Sequence, residues 1–143
     1  MTSTTCLATS SPATLESARP IRSAVAKAAT AAGACDAVID AVALCTGEAV
    51  TNAALHAYSP SHGSDDVVDV VVERSGEELV VIVTDFGSGF ADARAMEDKG
   101  FGLRLIERLT SRYVVSSSRD TGTRVRMVFA LQAQRRFFSG RCR

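Results

Sequence analysis

The sequence predicts an α+β two-layer sandwich, with three helices on one face of a mostly antiparallel sheet. Three features predict it. Two stretches of helical apolar period occupy most of residues 13–58, two pairs of strand-like runs follow, and Gly-containing turn segments join each pair with a short helical stretch between them. The 143 residues fit one domain, and a chain of this size buries about 68–70% of its unfolded surface, enough for one core. Residues 12–131 are read as that domain. Residues 1–11 are an N-terminal arm with an edge strand around residues 4–8, and residues 132–143 are a basic, irregular, flexible tail.

Each element has a local cause. Ser10-Ser11-Pro12 reads as a helix entry, since proline is tolerated in a first helical turn. An Ala-rich helix with Leu15, Ile21 and Val25 is expected over residues 13–32; Pro20 either kinks it or marks its true start, and Gly33 stops it. Asp36 is expected to cap a second helix running to Tyr58, with Val38, Val42, Cys45, Ala49 and Leu55 as its apolar stripe. Residues 59–64 form a loop by composition. In residues 67–73, Val68, Val70 and Val72 face one way and Asp69 and Glu73 the other. Arg74-Ser75-Gly76-Glu77 turns the chain into residues 79–84, apolar on both faces as a central strand requires. Residues 87–100 read as a long loop, residues 103–110 as a short helix, and residues 113–118 and 123–131 as a hairpin around Arg119-Asp120-Thr121-Gly122. There Val125, Met127 and Phe129 face inward, and Arg124 and Arg126 outward.

Composition narrows the function. Sixteen Lys and Arg balance sixteen Asp and Glu, which argues against a general nucleic-acid coat or a membrane-surface binder, both of which need a basic excess. No apolar run suggests a membrane span, and the first residues lack signal-peptide character. Cys6, Cys35, Cys45 and Cys142 form no C-x-x-C pair, so reduced thiols in a cytoplasmic protein are expected rather than a zinc site.

Three segments carry chemistry. In Glu48-Ala49-Val50-Thr51-Asn52-Ala53-Ala54-Leu55-His56-Ala57-Tyr58, the side chains of Glu48, Asn52 and His56 recur every four residues and share a helix face; a solvated face would show the same spacing. In Asp85-Phe86-Gly87-Ser88-Gly89 a carboxylate ends an apolar strand and two glycines follow. That is either an ordinary turn or an acceptor for a base amino group in a site where backbone can approach closely. Gly100-Phe101-Gly102-Leu103 opens a helix, and its amides suit an anionic phosphate, although a glycine hinge would look alike. No Gly-Lys-Ser/Thr follows, so this is not a Walker motif.

In this order and on these elements, the three segments resemble the GHKL superfamily of ATP-binding domains. Residues 48–58 are similar to its N box, residues 85–89 to its first glycine box, residues 100–103 to its second, and Gly122-Thr123 to its late Gly-Thr. The E-A-V-T-N-A-x-x-H-A-Y form and the small size resemble bacterial anti-sigma-factor serine kinases of the RsbW/SpoIIAB type. The resemblance implies a Bergerat fold binding ATP and Mg²⁺. Asn52 would bind the metal, Glu48 would act as general base, Asp85 would accept from the adenine amino group, and Gly87 and Gly89 would shape the base pocket. Gly100, Phe101, Gly102 and Leu103 would hold phosphates, and Thr123 would support Asp85 or a water by the base. Residues 91–99 would be the ATP lid, with Lys99 a solvated lid residue, and His56 would support the helix–loop junction.

The function implied is a cytoplasmic protein serine/threonine kinase and anti-sigma factor. It would phosphorylate a STAS-domain anti-anti-sigma protein, sequester a sigma factor, and form a homodimer, with no direct nucleic-acid or membrane contact. The alternative is a non-catalytic ATP- or ADP-binding switch acting through partner binding alone; Glu48 favours catalysis.

Overall fold

In a computed structural model of the chain, the described residues are 2–57, 66–89 and 103–132. The loop after the second helix, the lid with Lys99, the Gly100-Phe101-Gly102 segment and the tail from residue 133 lie outside them.

Strand β1 spans Ser3–Pro12, helix α1 Ala18–Ala31, α2 Asp36–Asn52, β2 Val67–Ser75, β3 Glu78–Asp85, α3 Leu103–Leu109, β4 Arg112–Ser118 and β5 Gly122–Ala130. The strands form one antiparallel sheet in the order β1-β2-β3-β5-β4. This is the predicted α+β sandwich, and β3 is its central strand. The inner face contributes Val68, Val70 and Val72 from β2, Leu79, Val81 and Val83 from β3, and Val125, Met127 and Phe129 from β5. Ile21, Val25 and Ala29 of α1, Val38, Val42, Cys45 and Val50 of α2, and Ile106 of α3 close the core from above. Burying a Val or Ile side chain there stabilises the fold by roughly 1.5–3 kcal/mol.

Four local expectations are corrected. Ser10, Ser11 and Pro12 do not open a helix; they complete β1, paired with Asp69, Val68 and Val67. Pro12 ends an edge strand, where its missing N–H breaks no ladder. A single 3₁₀ turn, Leu15–Ser17, then leads into α1, so Pro20 falls in the first helical turn, where backbone N–H groups have no intrahelical partner. Asp36 is not the cap but the first residue of α2, after Cys35, where its charge complements the helix dipole. The α-helix stops at Asn52 and continues as a π-helical turn, Ala53–Ala57. There Leu55 is 55% exposed instead of joining the stripe.

Other features hold. Past α1, the N–H of Gly33 donates to the Thr30 carbonyl and that of Ala34 to the Ala29 carbonyl, both at 3.0 Å, a Schellman stop. Gly76-Glu77 closes the β2–β3 hairpin. Helix α2 with its π turn is apolar and long enough to span a membrane by composition, but its apolar side is packed on the sheet and α1, as in a core helix. Cys6 and Cys45 are free thiols, whereas Cys35 is disulfide-bonded, which corrects the expectation of reduced thiols throughout.

Candidate functional site

Asp85 is the last residue of the central strand and is only 5% exposed. Its Oδ1 accepts the N–H of Gly87 at 3.1 Å and that of Thr123 at 3.2 Å. The first bond is an Asx turn that bends the chain away as β3 ends. The second ties the carboxylate to the start of β5, the neighbouring strand. No described group bonds Oδ2. Burial raises the Asp85 carboxyl from its ordinary value, and the two N–H bonds oppose that rise.

Two glycines make this corner possible. At Gly122, with φ +84°, a Cβ would lie 2.2 Å from the Asp85 carbonyl oxygen. At Gly89, with φ +61°, it would lie 2.0 Å from the Ser118 carbonyl oxygen. The turn after β3 is therefore pressed onto the end of β4, and only glycine fits either contact. Beneath Gly89, Ser117 Oγ lies 2.7 Å from Thr123 Oγ1. Ser117 faces Thr123 in the β4–β5 register. Sequence reasoning missed Ser117, although counting back across the hairpin from Gly122 would have found it.

Glu48 and Asn52 lie on the last two turns of α2, which packs against β3, β5 and α3; the π turn that follows packs against β5. Glu48 is half-buried. Burial, with the nearby charge of Glu48 as the smaller cause, pushes the Cys45 thiol up to about 12. Asn52 is 3% exposed, and among the described residues its buried Nδ2 has no hydrogen-bond partner. A buried amide donor left unmet costs about 1–3 kcal/mol, and an Asn amide can present its N–H or, turned over, its carbonyl oxygen. The residues at this end therefore fit a polar ligand or a cation.

The structure thus brings Asp85, Gly87, Gly89 and Thr123 to one corner of the sheet, and Glu48 and Asn52 lie on the last two turns of α2, the helix that packs on β3 and β5. Leu103 begins α3 and is half-buried, and His56 lies in the π turn. Gly100, Phe101 and Gly102 fall outside the described residues.

An antiparallel sheet covered by helices, with a buried Asp at a strand end beside glycine turns, offers a polar corner open to a small ligand. Residues 11–129 match the histidine kinase-like ATPase domain, and the chain belongs to that family. It is also similar to proteins named anti-sigma F factor. The one from Pasteuria penetrans is 35% identical over 100 residues, covering 62% of this chain and 65% of that protein. Those of Clostridium botulinum (strain Eklund 17B / Type B) and Clostridium kluyveri (strain NBRC 12016) are 32% and 30% identical over 91 residues, each match covering 56% of this chain and 62% of the relative. The chain spans less than two thirds of the length of these relatives.

Proposed function

We propose that the chain is an ATP-dependent protein serine/threonine kinase and anti-sigma factor. It phosphorylates a STAS-domain anti-anti-sigma protein and sequesters a sigma factor. The observation that carries the nucleotide reading is Asp85, buried at the strand end with Oδ1 held by two amides and Oδ2 left for a ligand. A carboxylate so placed accepts from the exocyclic amino group of adenine. The family match and the names of the similar proteins support the rest.

In this reading Asp85 and Thr123 hold the base, and Gly87 and Gly89 leave room for it. Gly100, Phe101, Gly102 and Leu103 hold the phosphates. Asn52 turns its amide to hold Mg²⁺, which when bound offsets the charge of the phosphate oxygens. Glu48 takes the proton from the acceptor serine hydroxyl. The serine oxygen bonds the γ-phosphorus as the bond from that phosphorus to the bridging oxygen breaks, and ADP leaves. The protein acts in the cytoplasm as a homodimer, a reading supported by the outer edge of β1, which pairs with no described strand.

The test is transfer of labelled γ-phosphate to a STAS-domain protein, measured with ATP affinity. Transfer by the wild type, lost in Glu48→Ala with affinity retained, is expected. ATP binding without transfer by the wild type would overturn the kinase and leave a nucleotide-binding switch.

A further inference from the structure

Base recognition at the sheet corner depends on the direction of one hydroxyl hydrogen. Adenine presents a donor, its amino group, beside an acceptor, ring nitrogen N1. With the amino group on Asp85, the neighbouring protein group must donate to N1. Thr123 is that neighbour: its N–H is bonded to Asp85, and it is 3% exposed. A threonine hydroxyl has one hydrogen. Spent on Ser117, 2.7 Å away, that hydrogen would leave Thr123 with only lone pairs to offer, and these repel N1.

We infer that Ser117 is a base-specificity residue, one that donates its own hydrogen to Thr123 Oγ1 and so directs the Thr123 hydrogen at N1 of adenine, directly or through one water. The inference rests on the nucleotide reading above. Ser117 acts through Thr123 and is a positioning residue. Its place is fixed by the cross-strand pairing of Ser117 with Thr123 and by Gly89 pressed down above it. Guanine fails at both points. It sets a carbonyl oxygen against the Asp85 carboxylate and an N–H against the Thr123 hydroxyl, and a buried polar site rejects such mismatches strongly.

The experiment is calorimetric binding of ATP, GTP and 1-deaza-ATP, in which a C–H replaces N1, to the full chain and to Ser117→Ala. The wild type is expected to lose about tenfold in affinity for 1-deaza-ATP relative to ATP, the worth of one buried hydrogen bond. In Ser117→Ala that penalty shrinks to within about threefold, and GTP is discriminated less, as one lost hydrogen bond predicts. Ser117→Cys, near-isosteric and a weak donor, falls between and covers the case in which the alanine variant folds poorly. A 1-deaza-ATP penalty unchanged in both variants, or absent from the wild type, overturns the inference while leaving ATP binding intact. A wild type that binds no ATP overturns this inference and the nucleotide reading together.

Discussion

The two ends of the candidate site are held in opposite ways. At the sheet corner the Asp85, Thr123 and Ser117 side chains have partners, and two glycines lock the backbone around them. At the end of α2 the buried Nδ2 of Asn52 has no partner among the described residues, and the α-helix gives way to a π turn one residue later. The first end is finished before any ligand arrives, so binding there costs little reorganisation. The second carries a local debt of polarity that a ligand would settle, and π-helical turns recur at functional sites for related reasons. The contrast teaches that the two parts of the proposed site are stabilised by different means within one small domain: one by internal hydrogen bonds and glycine contacts, the other with a buried polar group left unmet.

The largest expected effect breaks the reaction corner alone. Glu48→Gln should lower phosphoryl transfer by about 10²–10⁴-fold, the contribution of a general base, with ATP affinity unchanged by calorimetry. Next, Asp85→Asn breaks the recognition corner, weakening ATP binding by roughly 10–100-fold, as expected for a hydrogen bond to a charged group. Stability should move in opposite directions at the two ends. Gly122→Ala should destabilise the protein by about 2–3 kcal/mol in urea unfolding, from positive-φ strain and the clash with the Asp85 carbonyl. Asn52→Leu should stabilise the unliganded protein by about 1 kcal/mol by removing the unmet donor, and should abolish the rise in melting temperature that Mg·ATP gives the wild type.

The smallest effect is a pH dependence. Burial raises the carboxyl of Asp85 in the folded chain. The stability this group contributes is therefore complete below its unfolded value, about 3.9 for an ordinary Asp, and is lost as pH rises through the folded value. Asp85→Asn keeps the acceptor for both backbone amides and removes the charge. Its melting temperature should exceed that of the wild type most at pH 7, and the gap should close as pH falls towards the ordinary Asp value. A gap that widened in acid would mean that the carboxylate is held by its amides more than it is penalised by burial.

Much of the fold was legible because its signals are local. The alternation of Val68, Val70 and Val72, the all-apolar run of β3 and the Gly76 turn each depend on a few adjacent residues. What was not legible came from tertiary contacts. Ser10-Ser11-Pro12 has the composition of a helix entry, yet pairing with Val67–Asp69 outweighs it. Leu55 fits the stripe by arithmetic, but the π turn shifts the phase after Asn52. Around the proposed site, the bond between the Thr123 N–H and Asp85 joins two residues that the motif names, whereas Ser117 became visible only when strand register set it opposite Thr123.

The N-terminal strand has a practical consequence. The family match begins at residue 11, whereas β1 begins at Ser3. A chain trimmed to the match would lose nearly all of that strand and bare the flank of β2, a nine-residue run rich in valine. The intact chain guards this flank with a strand that is itself interrupted by a register shift between Thr5 and Leu7 and closed by Pro12. Shortening the protein to its recognisable part would thus leave a valine-rich strand edge with its backbone N–H and C=O groups open to pairing with another strand.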